Sequence, residues 1–192
     1  NREFTKEYID LVFDKFKAGD YIILQNEINE ISYIVDQAKS KGMTIVLNPS
    51  PMDNKILEID LHKIDYFILN EVEAYGLINV DMSEKLSSEQ LLERLVSQFP
   101  NSKIVLTLGE KGSIYADRKE KKYQDIYEVD TIDTTAAGDT FTGYFVAGLV
   151  SEIDIEKTMD MAARASALAV TKLGAEPSIP NYDEVKKYNF KI

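Results

Sequence analysis

Residues 21–48, YIILQNEINEISYIVDQAKSKGMTIVLN, decide the class of fold. Tyr21-Ile22-Ile23-Leu24-Gln25 is short, apolar and β-branched, the composition of a strand buried on both faces of a parallel sheet. Ile31 to Lys41 reads as a helix ended by Gly42, and Thr44-Ile45-Val46-Leu47-Asn48 as a second buried strand. Pro49-Ser50-Pro51 then forces a loop. A buried strand, a helix and another buried strand in this order predict parallel strands covered by helices.

The alternation continues in both directions. Upstream, Tyr8, Ile9, Val12, Phe13 and Phe16 recur at spacings of three and four, which predicts one apolar helical stripe over Thr5 to Lys17, ended by Gly19-Asp20. Downstream, Tyr66-Phe67-Ile68-Leu69 is a weaker strand leading into a short helix start at Asn70-Glu71-Val72-Glu73. Ser87 and Gln90 form a capping box for a helix through Phe99. Lys103 to Thr107 is a strand, Gly109 to Gly112 a turn, and Ser113 to Ala116 a strand with an antiparallel partner around Tyr123 to Val129. Two long helical patterns follow, Gly138 to Val150 and Ile155 to Leu173, the second closed by Gly174 with Pro177 and Pro180 beyond it. The predicted fold is α/β, a Rossmann-like parallel sheet with helices on both faces. With no repeat, low-complexity tract or linker, residues 1–192 read as a single domain.

Composition excludes several function classes. Lys and Arg number 22 against 33 Asp and Glu, a net charge of −11 without a basic patch, which argues against nucleic acid as a partner. The basic stretch Arg118 to Lys122 reads as a hairpin tip or edge facing water. The absence of cysteine removes disulfides, thiolate catalysis and Cys-type zinc sites, and the lone His62 removes a two-His metal site. No apolar run reaches the ~20 residues of a membrane helix, so the expected compartment is the cytoplasm, with no membrane partner.

Ligands of such sheets sit beyond the carboxyl ends of the strands. The polar residues there are Gln25-Asn26-Glu27, Asn48, Asn70 to Glu73, Thr107 to Glu110 and Asp133 to Asp139. The last segment joins Ala136, Ala137 and Gly138 to the start of a helix, where backbone N–H groups and the helix dipole can meet an anion directly. Asp139 follows within the first turn, where a carboxylate can accept a proton from a substrate hydroxyl. The plain alternative is that Asp139 only complements the helix N-terminus. Gly138 to Gly143 has the outer spacing of a P-loop, but Tyr144-Phe145 replaces the Lys-Ser/Thr pair, and no G-x-G-x-x-G occurs among the nine glycines.

Asp133-Thr134-Thr135-Ala136-Ala137-Gly138-Asp139-Thr140-Phe141 resembles the second signature of the ribokinase-like, PfkB-type family of carbohydrate kinases. Three further stretches resemble that family in the same order. Asn70-Glu71-Val72-Glu73 is similar to its N-x-x-E motif, Thr107 to Gly112 to its nucleotide-binding turn, and Gly174 to Pro180 to its C-terminal tail. The resemblance implies an ATP-dependent kinase acting on a sugar hydroxymethyl group, ribose or a related pentose, with fructose and nucleoside kinases as relatives in the same superfamily. It also implies Asp139 as catalytic base and Ala136, Ala137 and Gly138 as anion hole. Asn70 and Glu73 would organise magnesium-bound water, with Thr107, Gly109 and Gly112 at the nucleotide. A potassium or similar monovalent cation would lie at Asp133, Thr135, Ala169, Lys172, Gly174 and Ser178. Glu27 matches a position that contacts sugar hydroxyls, although a surface Glu at a loop start explains it equally well.

The resemblance covers the family's C-terminal two-thirds. Nothing here resembles the family's glycine-rich sugar-binding segment or its small β-lid, and the sequence opens at Asn1 rather than a methionine. The chain is therefore expected to be part of a longer protein, the alternative being a half-length, catalytically silent binding module. The full-length protein could be a homodimer, but the family pairs through the lid, so no interface carries over.

Overall fold

The computed structural model of the chain describes residues 2–190. Six strands, β1 (Tyr21–Gln25), β2 (Thr44–Asn48), β3 (Tyr66–Asn70), β4 (Lys103–Thr107), β5 (Ser113–Ala116) and β6 (Lys121–Gln124), form a mixed sheet in the order β1-β2-β3-β4-β5-β6. The helices are α1 (Lys6–Phe13), α2 (Ile31–Ser40), α3 (Glu71–Leu77), α4 (Ser88–Gln98), α5 (Ala137–Val150), α6 (Ile155–Ala169) and α7 (Tyr182–Lys187). Chain contacts group into two compact units. One runs to Leu106 and includes Tyr115–Lys121; the other comprises Thr107–Ile114 and the chain from Lys122 onward.

In the first unit, β1 pairs with β2 and β2 with β3, both in parallel, with Gln25 opposite Asn48. The carboxyl ends of these three strands therefore share one rim. The apolar runs of β2 and β3 are buried as a hydrophobic strand core requires, with Ile45, Val46, Leu47 and Phe67 fully enclosed. The Phe67 ring packs against Phe99, the residue that follows α4, at 4.8 Å between centroids. Both residues of the predicted capping box at Ser87 and Gln90 make their hydrogen bonds. His62 lies 5.7 Å from the Phe99 ring, a packing position and no part of the polar rim.

Three elements differ from the sequence reading, each for a local reason. β1 is not buried on both faces: Ile23 is 47% exposed while its neighbour Leu24, on the opposite face, is buried, so only one face of this strand is covered. α1 ends at Phe13, and of its predicted stripe Ile9 and Phe13 are buried while Tyr8 and Phe16 face outward. The sixth strand begins at Lys121, earlier than predicted. Asp117 Oδ1 accepts from the N–H groups of Lys119 (2.7 Å) and Glu120 (2.9 Å), which closes the turn within four residues.

The second unit is built on α5 and α6, which approach closely where Gly148 meets Thr158. A Cβ on Gly148 would stand 2.7 Å from the Thr158 side chain. Ser166 Oγ donates to Ala137 O (3.0 Å) and so ties α6 to the first turn of α5. α6 stops at Ala169, short of the predicted Leu173. For the helix to continue, Val170 O would have to accept from Gly174 N. It accepts instead from Ile132 N (2.8 Å) and Asp133 N (3.2 Å), while Gly174 N donates to Asp133 Oδ2 (2.9 Å). The 132–133 segment thus takes both partners of the missing helical bond. No helix among the described residues is long and apolar enough to cross a membrane.

Candidate active site

On the first unit, the site residues predicted at Asn70 and Glu73 form a tight hydrogen-bonded pair at the start of α3. Glu73 N donates to Asn70 Oδ1 (2.9 Å), Asn70 N to Glu73 Oε2 (2.9 Å), and Asn70 Nδ2 to Glu73 Oε1 (3.0 Å). Asn70 is thus an N-cap and Glu73 the N3 partner of a complete capping box. The Glu73 carboxylate is buried, which raises its pKa above the usual 4.5, while bonds from Asn70 and Ser50 partly oppose the shift. Both oxygens already accept a hydrogen bond, and no cluster of three or more His, Cys, Asp or Glu side chains able to hold a metal exists among the described residues. That donor set suits a magnesium ion held through its own water shell, not one ligated directly by the protein.

This burial has a measurable consequence. Between pH 4.5 and the raised pKa, folded Glu73 binds more protons than unfolded Glu73, so its contribution to stability is full below 4.5 and is lost as the pH rises through the folded value. Glu73→Gln keeps an N3 residue able to complete the box, as Gln90 does in α4. Melting curves between pH 4 and 8 are expected to show a shallower pH dependence for Glu73→Gln, with the variant gaining on the wild type as the pH rises.

Glu27 lies exposed in the loop after β1, next to buried Asn26. Asn48, opposite Gln25, donates through Nδ2 to Ile68 O (3.0 Å) and accepts from Ser50 N (3.1 Å). Glu27, Asn48 and the Asn70–Glu73 pair therefore belong to one rim, as the parallel pairing requires. Neither the role of Asn26 nor that of Ser50 has a signal in the sequence, since both act through hydrogen bonds to distant loops.

On the second unit, α5 begins at Ala137, after Ala136 in the left-handed region (φ 61, ψ 11). Such a conformation costs a non-glycine residue about 1–2 kcal/mol, and nothing in an alanine announces it. It is held by Thr140 N donating to Ala136 O (2.8 Å) and Ala137 N to Thr134 O (3.2 Å). The cap position supplies no side-chain acceptor to the first turn, and a Cβ placed on Gly138 would meet nothing within 4 Å. Small residues and an uncapped helix start thus leave room for an external anion beside exposed Asp139. A cavity of about 670 Å³ extends from Asp139 and Thr140 along Gly143, Tyr144 and Ala147 to Tyr182.

Of the residues predicted for a monovalent cation, hydrogen bonds link Asp133, Thr135 and Gly174. Asp133 accepts from Thr135 N (2.9 Å) and Gly174 N (2.9 Å), and its bonds to Thr135 and Gly174 hold its pKa down to about 2. Ala169 O accepts from Lys172 N (3.2 Å), and buried Ser178 donates through Oγ to Ala175 O (2.7 Å). An ionised carboxylate and the backbone carbonyls of these segments are oxygen donors of the kind a hard cation takes. After β4, Leu108 N donates to Gly112 O (2.8 Å), folding Thr107 to Gly112 into one turn. Gly109 has φ +58 and open space around its Cα.

A family model described as pfkB family carbohydrate kinase matches residues 11–181. The chain belongs to that family. A ribokinase of Staphylococcus aureus is 34% identical to this pfkB chain over 97% of it and 62% of the relative. A deoxyribokinase of Salmonella typhi is 28% identical over 98% and 62%. The fold is that of ribokinase structures: the Thermotoga maritima protein has TM-score 0.80 and 29% identity over 96% of this chain and 61% of its own. Ribokinase from Arabidopsis thaliana, solved with ribose and ATP, has TM-score 0.80 and 26% identity over 97% and 61%. The chain thus spans about three-fifths of the length of these relatives.

Proposed function

We propose that the protein carrying this chain transfers the γ-phosphoryl group of ATP to the hydroxymethyl group of a pentose, ribose or a near relative of it. The observation that carries this reading is Asp139, exposed one residue beyond Gly138 at a helix start whose cap offers no side chain of its own. Asp139 accepts the proton of the sugar hydroxyl as that oxygen bonds to the γ-phosphorus, the bond to the β-phosphate oxygen breaks, and ADP leaves. Ala136, Ala137 and Gly138 stabilise the charge that spreads over the transferred oxygens. Asn70 and Glu73 orient the water around a magnesium ion, whose charge would neutralise the phosphates. Thr107, Gly109 and Gly112 take the nucleotide, Asp133 and its neighbouring carbonyls a monovalent cation, and Glu27 the sugar hydroxyls.

Family membership and the similarity to ribokinases support a sugar as acceptor. The relative that is a deoxyribokinase favours 2-deoxyribose as the second reading. ADP formation by the purified gene product, measured over ribose, 2-deoxyribose, fructose and nucleosides with and without potassium, is expected to be largest with ribose and to fall when potassium is withdrawn. Turnover of none of these, with nucleotide binding retained, would leave a silent binding module instead.

A further inference from the structure

Glu27 sits between two hydrogen-bonded anchors. On one side Asn29 exchanges bonds with the backbone of Phe4, accepting from its N–H (3.0 Å) and donating to its carbonyl (2.8 Å). On the other, Asn26 commits three donors to a single loop, residues 50–53. Its backbone N–H reaches Ser50 O (2.9 Å), and Nδ2 reaches Pro51 O (2.7 Å) and Asp53 Oδ1 (2.9 Å). Only 7% of Asn26 is exposed, so its side-chain amide would be costly to leave unmet. The same Asp53 oxygen accepts from Lys55 N (2.9 Å), which fixes the acceptor in place. The same loop is tied to the end of β2, where Ser50 N donates to Asn48 Oδ1 (3.1 Å). One short loop therefore braces the backbone beside Glu27 against the end of β2.

We propose that Asn26 and Asp53 are positioning residues, which hold the backbone of Glu27 against the 50–53 loop and thereby set the affinity for the sugar. The inference rests on the reading of Glu27 as a sugar contact. It differs from the plain account of Asn26 as a satisfied core amide, because a core amide would govern stability alone. A carboxylate that must meet two sugar hydroxyls at once is sensitive to small shifts of its backbone. Asn26 is the residue that holds that backbone.

The test is calorimetric titration of the gene product with D-ribose and, separately, with magnesium ATP, alongside melting temperatures. Asn26→Leu, similar in size but without the side-chain donors, is expected to weaken ribose binding about tenfold, with ATP binding unchanged. Asp53→Ala should act in the same direction, and Asp53→Asn, which retains an acceptor at Oδ1, should bind ribose as the wild type does. If Asn26→Leu does not fold, the Asp53 pair at the exposed end of the brace decides the matter. Unchanged ribose affinity with a lowered melting temperature would overturn the proposal and leave a purely structural brace. Glu27→Gln separates this from failure of the reading beneath it. Weakened ribose binding in Glu27→Gln but not in Asn26→Leu defeats the positioning role alone. No effect of Glu27→Gln, or no ribose binding by the wild type, defeats both.

Discussion

Asp139→Asn is expected to lower kcat for sugar phosphorylation by about 10²–10⁴-fold while nucleotide binding persists. The substitution keeps the shape of the side chain and removes its charge and basicity. Two accounts of Asp139 give different results. If it only complements the N-terminus of α5, losing the charge costs about 0.3–1 kcal/mol of stability and leaves turnover intact. If it takes the proton of the attacking hydroxyl, the loss appears in kcat, with a small change in melting temperature. The structure supplies a reason to expect the second. The first turn has bonds besides any that Asp139 makes, Thr140 N to Ala136 O and Ser166 Oγ to Ala137 O, so losing the charge at Asp139 is expected to cost α5 little. Steady-state rates and nucleotide titrations of the same preparation distinguish the two accounts, and a variant with wild-type kcat would sink the proposed mechanism.

The fold was legible where one physical signal dominated. The runs 21–25, 44–48 and 103–107 are short and rich in apolar, β-branched residues, as strands are, and the structure places β1, β2 and β4 at those bounds. The capping box at Ser87 could be read because both partners lie three residues apart in one chain segment, whereas Asn70 and Glu73, read as a short helix start, turned out to form a second one. Distant hydrogen bonds leave no such trace. The end of α6 at Ala169 is set by Ile132 and Asp133, nearly forty residues upstream, so periodicity alone ran the helix on to Leu173. The start of β6 is set by an Asp117 turn, and the exposure of Ile23 by one face of β1 being left uncovered. For the candidate site, the sequence pointed to Asp139 and to the Asn70–Glu73 pair. It could not show that Ala136 is left-handed, or that Asn26, Ser50 and Asp53 tie the rim together, since each depends on which loops become neighbours.

Gly112→Ala is expected to destabilise the protein by on the order of 3 kcal/mol or more, whereas Gly109→Ala, three residues earlier, should cost only about 1–2 kcal/mol. Both glycines have positive φ, +84 and +58, so both substitutions strain the backbone. They differ in what an added methyl group meets. At Gly109 there is nothing within 4 Å; at Gly112 a Cβ would lie 2.0 Å from Gln124 O and 3.0 Å from its carbonyl carbon. Those are backbone atoms of β6, which cannot swing aside as a side chain could. With ψ −138, Gly112 also lies outside the left-handed helical region that other residues reach at modest cost. To admit the methyl group, β6 must separate from the turn or the Leu108 N to Gly112 O bond must open. Chemical denaturation of the two variants measures the difference directly, and equal costs would refute the close approach at Gly112. Because that bond also shapes the turn proposed to hold the nucleotide, Gly112→Ala should weaken ATP binding together with stability.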